Sequence, residues 1–306
     1  MSGNWTTANI PDLKGKVMII TGANSGIGYE AAKEFARKGA HVILACRNMD
    51  KAQAALAEIQ AEIPDVPAEI MPLDLASQKS VHDFAEAFEA KYNRLDVLLN
   101  NAGIMAIPYA RTEDGFEKQF GTNHLGHFAL TGLLIDLLLK TPNSRVVNIS
   151  SSAHRFGSMD FENLMFKDGK DYSRMRAYGR SKLANMLFTY ELQRRFEAAG
   201  ANAIAIAAHP GISDTNLASH FAAPWVFKML MPLFGRMTQS ATMGALSGIR
   251  AAVDQDVSGG EYFGPDGPGE RKGYPVLVKS NEASHNESDA RLLWEKSEEL
   301  CKVSFL

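Results

Sequence analysis

The stretch VMIITGANSGIG, residues 17–28, runs from apolar and β-branched residues into three closely spaced glycines. VMIIT (17–21) shows no polar alternation, so it reads as a strand buried on both faces. GIGYEAAKEFARKG (26–39) carries apolar residues at helical spacing and ends on Gly39. A buried strand that turns through glycine into a helix is how a βαβ unit begins.

The same alternation continues along the chain. HVILA (41–45), EIMPLD (69–74), VLLNNAG (97–103), RVVNISS (145–151) and AIAIAAHPG (203–211) read as strands with their turns, and EYFG (261–264) as a short last strand. Helical patterns lie between them at 49–63, 77–92, 114–140, 174–199 and 240–254, with a final one at 288–302. Ser77 is a candidate N-cap. Continuous apolar strands separated by helices predict an α/β fold: a doubly wound parallel sheet of about seven strands between two helix layers. No solenoid repeat and no long linker interrupts the pattern, so one domain is expected over 1–306, with its core at 15–265 and an irregular tail at 265–306.

Composition narrows the function. The net charge is −3 and no run of lysine or arginine occurs, which argues against a nucleic-acid partner. Cys46 and Cys301 stand apart without metal-ligand spacing, so no metal site is expected and a reducing, cytoplasmic compartment fits. MSGNWTTANIPDLKG lacks the basic start and apolar run of a signal peptide. The longest apolar approach to a membrane span, FAAPWVFKMLMPLF (221–234), is broken by Pro224, Lys228 and Pro232.

Gly22, Gly26 and Gly28 lie at the first strand-to-helix turn, with Asn24, Ser25 and Ile27 between them. Glycine permits a tight turn and close backbone approach, and the amides of the new helix then face an anion. A dinucleotide pyrophosphate is the expected anion. In such units an acid at the end of the second strand holds the ribose 2′-hydroxyl of NAD. LACRN has none there; it offers Arg47, beside Asn48, and a guanidinium pairs well with a phosphate. The cofactor expected is therefore NADP(H). In PLDLAS, Asp74, next to Leu75, reads as an acceptor for the adenine amine or as a helix cap, two roles that can coexist. Asn101, Ala102 and Gly103 of NNAG follow the fourth strand on the side where ligands bind, though Asn101 equally suits a plain turn.

AYGRSKLANML (177–187) sets Tyr178 one helical turn before Lys182. A nearby ammonium favours the phenolate and is expected to lower the tyrosine pKa from its ordinary value near 10. Such a tyrosine can give a proton to a carbonyl oxygen or take one from an alcohol. Hydride transfer is the other half of that reaction, and a nicotinamide carries it. Ser151, in NISSSAH, ends the fifth strand where a hydroxyl can hold the substrate oxygen. Asn123, in GTNHLGHF, sits in a predicted helix that it suits poorly, where its side chain could extend a proton path from Lys182.

Together these motifs resemble the short-chain dehydrogenase/reductase family and its Rossmann-type fold. TGANSGIG matches the family's TGxxxGxG turn, NNAG its fourth-strand motif and YGRSK its YxxxK. HPG (209–211) followed by Thr215 matches the turn that grips the nicotinamide carboxamide. The resemblance spans roughly residues 15–265. It implies Tyr178 as general acid/base, Lys182 as its pKa partner and ribose ligand, Ser151 (with Ser152 as fallback) as the substrate-oxygen hydrogen bonder, and Asn123 in the proton relay. It also implies Pro210, Gly211 and Thr215 as cofactor contacts. ACRN, TNHLGHF, SSxAH and SKLAN look most like the retinol dehydrogenase and WW-domain oxidoreductase branch. The variable substrate lid would fall at 212–238, here rich in apolar residues such as Phe221, Trp225, Phe227, Met229 and Phe234, which suits a lipophilic substrate.

The expected function is an NADP(H)-dependent oxidoreductase interconverting an alcohol with an aldehyde or ketone, reducing a bulky apolar carbonyl. The alternative is an NADP(H)-sensing or scaffold protein on the same fold. Such proteins often lose the tyrosine or lysine, and this chain keeps both. A sugar-nucleotide epimerase uses the same pair, but its glycine turn is spaced differently. A homo-oligomer is left open.

Overall fold

The computed structural model describes residues 4–213 and 238–306. Thr215 and nearly all of the expected substrate lid lie outside the described residues. The chain opens with β1 Val17–Thr21, α1 Gly26–Arg37, β2 His41–Cys46, α2 Met49–Glu62, β3 Ala68–Pro72, α3 Gln78–Glu89 and β4 Val97–Asn100. After α4 Lys118–Phe120, α5 Gly126–Leu133 and α6 Ile135–Lys140 come β5 Arg145–Ile149, α7 Arg174–Ala198 and β6 Ile204–Ala208. It closes with α8 Ala241–Val253, β7 Tyr262–Pro265, β8 Pro275–Leu277 and α9 Glu287–Cys301.

The strands form one sheet in the order β3-β2-β1-β4-β5-β6-β7-β8. The first seven pair in parallel, and β8 joins antiparallel at the edge. Because a strand alternates its faces, successive residues enter opposite cores. Ile19, Ile43, Leu98 and Val146 pack with α3, α5, α7 and α9. Met18, Leu44, Leu99 and Val147 pack with α1, α2 and α8. That two-sided burial is why the strands read as unbroken apolar runs. β1 lies between β2 and β4, so the winding reverses there and the carboxyl ends of β1 and β4 part to leave a crevice.

The sheet therefore has the expected architecture with one strand more than expected. Three residues, PVL, beyond a Pro/Gly-rich loop hold too little periodicity to announce β8. The helix expected as one piece over 114–140 starts at Lys118, opens into a π-turn at Gly121–Leu125 and breaks again at Leu134. The tail is not irregular. Trp294 is 1% exposed and packs against Phe128, Phe188 and Phe305 at centroid distances of 5.1, 5.8 and 4.6 Å. The Arg195 guanidinium lies 4.1 Å from its ring. Residues after 286 thus complete one core.

Trp294→Ala should cost about 3–5 kcal/mol of unfolding free energy, measured by denaturant titration. A loss under about 1 kcal/mol would show that the tail helix merely lies on the surface.

Candidate active site

The crevice is floored by the glycine turn. Gly22 takes φ +67°, and its N–H donates to the Ala45 carbonyl at 2.8 Å. The Cys46 thiol, buried beneath, receives the Ala23 and Asn24 amides, and burial pushes it up to about 11. Ser25 is exposed at the mouth and gives α1 no side-chain cap. Asn24 and Ile27 are half-buried beside it.

At the next two strand ends, Arg47 is exposed, with Nη1 4.0 Å from Asp74 Oδ1. Asn48 caps α2 by accepting from the Lys51 N–H at 2.9 Å. Asp74 accepts from the Ala76 N–H at 3.0 Å within the turn, whereas the N-cap of α3 is Ser77, which accepts from the Ser80 N–H at 3.2 Å. Leu75 is buried in the core, and only its backbone borders the turn.

A buried hub joins the glycine turn to NNAG. The Thr21 hydroxyl accepts from the Asn101 and Ala102 amides, each at 2.9 Å. Asn101 Nδ2 donates to the Thr21 carbonyl at 2.8 Å. His127 Nε2 lies 2.9 Å from the Thr21 hydroxyl, and its Nδ1 lies 3.0 Å from the Asn123 carbonyl. A carbonyl only accepts, so Nδ1 carries the proton and Nε2 receives the Thr21 proton. The ring is neutral, and burial pushes it down to about 4.

Asn123 sits inside the π-turn. Its Nδ2 donates to the Ile104 carbonyl and the Ser181 hydroxyl at 2.9 Å each, and its Oδ1 accepts from the Ile104 N–H at 2.8 Å. The extra residue of a π-turn displaces the ladder, which lets this asparagine clamp the chain after NNAG. Lys182 Nζ donates to the Ile149 carbonyl at 2.9 Å and lies 5.7 Å from the Tyr178 ring centroid. Burial pushes Lys182 down to about 8 and Tyr178 up to about 12, the latter opposed only by a hydrogen bond to Ser151. The lowering of Tyr178 expected from Lys182 does not appear; burial raises the phenol, and Ser151 alone works against it. Of the three serines, Ser150 is buried and donates to the Lys182 carbonyl at 2.9 Å. Ser151 faces Tyr178, and Ser152 is exposed at the start of a 3-10 turn, Ser152–Phe156.

Pro210 and Gly211 form the turn after β6. The Pro210 carbonyl accepts from Ser213 Oγ at 2.8 Å and Gln239 Nε2 at 2.7 Å. The structure thus gathers Asn123, Ser151, Tyr178 and Lys182 over the ends of β4 and β5. Sequence reasoning missed Thr21, His127 and Ser181. The four-residue step from Asn123 to His127 in TNHLGHF was the available signal.

A model of the short chain dehydrogenase family matches residues 16–164. Retinol dehydrogenase 12 of Mus musculus is 42% identical over 264 residues, 86% of this chain and 81% of the relative. A crystal structure of an uncharacterized Mycobacterium Paratuberculosis protein superposes with a TM-score of 0.82 at 42% identity, covering 99% of this chain and all of that one. A short chain dehydrogenase from Shigella flexneri, complexed with NADP, gives a TM-score of 0.64 at 25% identity over 82% of this chain and 97% of its own.

The buried histidines make acid sensitivity predictable. Burial pushes His124 down to about 3 and His127 and His154 to about 4. In the unfolded chain each takes a proton near pH 6.5. Stability from this source is whole above that pH, falls as pH drops toward about 4 and then levels. Thermal melts should hold steady near neutrality and decline toward pH 5, with His127→Gln giving a shallower decline. A wild-type melting temperature unchanged over that span would contradict the neutral rings.

Proposed function

The chain belongs to the short-chain dehydrogenase family, and on that premise we propose that it is an NADP(H)-dependent oxidoreductase that reduces lipophilic aldehydes or ketones to alcohols. The observation that carries this reading is Tyr178 buried one helical turn from buried Lys182, with Ser151 facing the phenol. The cradle beside them fits a dinucleotide. A Cβ on Gly28 would lie 2.5 Å from Asn101 Nδ2 and 2.6 Å from the Gly22 carbonyl oxygen. At Gly103 one would lie 3.3 Å from Asn123 Oδ1 and 3.5 Å from Lys182 Nζ, so bare backbone there leaves room against the lysine. Gly22, Ser25 and Gly28 would hold the pyrophosphate, Asp74 the adenine end, and Asn101, Lys182 and the Pro210–Gly211 turn the nicotinamide end, with Thr215 as a further contact.

The hydride comes from the nicotinamide when that group is bound. Everything else falls to side chains of this chain. A phenol pushed up to about 12 keeps its proton at neutral pH, which suits donation to a substrate oxygen that becomes an alkoxide. The Ser151 hydroxyl, facing the phenol, would hold that oxygen beside the proton donor. Lys182, at about 8, can exchange a proton near neutrality and so return one toward the site. Asn123 holds the Ile104 backbone that walls this corner.

Exposed Arg47 at the end of β2 supports a 2′-phosphate partner, as does the NADP carried by the Shigella flexneri neighbour. A lipophilic substrate is supported by exposed Phe156 lying against Gly179, by exposed Ile212 after the Pro210–Gly211 turn, and by the retinol in the mouse relative's name. A cytoplasmic location suits the two buried, unpaired cysteines.

NADPH and NADH oxidation would be followed over a panel of apolar and hydrophilic carbonyls. Wild type should prefer NADPH and the apolar members, and Tyr178→Phe should lose about 10²-fold or more in kcat. Arg47→Asp should raise KM for NADPH about tenfold while sparing NADH. Preference for NADH would sink the cofactor assignment; full activity of Tyr178→Phe would sink the catalytic one.

A further inference from the structure

Two histidines in the motifs, His154 of SSSAH and His209 of HPG, take no part in the proton transfer, yet both are buried and hydrogen-bonded at both ring nitrogens. His209 Nδ1 accepts from the Gly211 N–H at 3.3 Å. Its proton is therefore on Nε2, which donates to Glu270 Oε2 at 3.1 Å. The two Glu270 oxygens also accept from Arg155 Nη2 at 2.7 and 2.8 Å. Arg155 belongs to the turn that Ser151 caps, and its Nη2 donates onward to the Lys279 carbonyl at 3.2 Å. Next to it, His154 Nδ1 donates to the Ser151 carbonyl at 2.6 Å, and its Nε2 accepts from the Asn281 N–H at 3.3 Å. The Ile212 N–H donates to the Arg271 carbonyl at 2.8 Å. One segment of the tail, residues 270–281, is thus bonded both to the turn after β5 and to the turn after β6.

We propose that Glu270 is a positioning residue: its carboxylate, gripped between His209 and Arg155, locks the Pro210–Gly211 turn to the Ser151 turn and so fixes the spacing of the two sides of the active site. Three further observations agree. Glu270 adopts φ +54°, a conformation costly for a residue with a side chain and kept where the surroundings impose it. Its carboxyl is held below the usual carboxylate range, first by the His209 hydrogen bond and also by Arg155, so it is ionised when it makes these bonds. Gly211, at φ +66°, presses on the tail so closely that a Cβ there would lie 2.3 Å from the Arg271 carbonyl oxygen. A charge-assisted link of this kind is stronger than a neutral one and is directional at both ends.

The inference rests on the reading of the site given above, so its test includes a readout that needs no turnover. Hydrogen exchange would be measured by mass spectrometry on wild type, Glu270→Gln, Glu270→Ala and Arg155→Met, each checked for an intact melting transition. Glu270→Gln keeps the shape but removes the charge and turns one of the two acceptor oxygens into a donor, so only one side of the grip can be kept. Exchange should quicken together in peptides covering 150–157 and 208–213 in Glu270→Ala and Arg155→Met, with Glu270→Gln between them and wild type. In turnover, kcat should fall about tenfold in Glu270→Ala with a smaller change in KM for NADPH, and the Glu270→Ala/Arg155→Met double variant should lose little beyond either single one. Quickening confined to the tail, or additive losses in the double variant, would overturn the proposal. If wild type reduces no carbonyl while both turns still loosen together, the coupling stands and the enzymatic reading falls instead.

Discussion

The hydroxyl of Thr21 is where the two halves of the sheet meet. It accepts two amides from the chain after β4 and gives its own proton to His127. All three valences are used, in a position with no solvent exposure. Each such bond contributes about 1 kcal/mol net, but leaving its partners unpaired in the core costs about 1–3 kcal/mol each. The glycine turn, the NNAG chain and the π-turn carrying Asn123 therefore cannot shift independently. Loss of the hydroxyl would orphan the Ala102 amide and the His127 ring nitrogen together and leave the Asn101 amide only its bond to the Leu99 carbonyl, so the three parts loosen as a group.

How the sequence declared this arrangement differs from part to part. The strands were legible because a parallel sheet buried on both faces must be apolar at every position, and VMIIT, VILAC and VLL meet that demand. The glycine turn and YGRSK were legible because their chemistry fixes residue type at fixed spacing. The break in the helix around Asn123 was not, because a π-turn depends on a clamp from Asn123 to Ile104, nineteen residues earlier. His127 was hidden for a similar reason: its partners come from β1 and from its own helix, and only the fold brings them together. β8 is set by pairing with β7 and has almost no local signal of its own.

The same limit explains the tyrosine. A Tyr–Lys pair one turn apart suggests a Coulombic lowering, yet burial governs both groups and pushes each toward its neutral form. Lys182 turns its ammonium to the Ile149 carbonyl, not to the phenol oxygen. Spacing on a helix says which side chains are neighbours. How dry their surroundings are is decided by α7 being covered along most of its length.

That cover has a bearing on how the protein is made. His124 of the π-turn and Ser297 of α9 share a buried hydrogen bond across 173 residues of chain. While a ribosome is still producing the intervening segment, Phe128 and Phe188 have no Trp294 to pack against, and an aromatic face of α5 and α7 stands open to water and to other nascent chains. Synthesis at about 5–20 residues per second leaves that face uncovered for roughly 5–20 seconds. The step that seals the core is therefore late, because it must wait for α9.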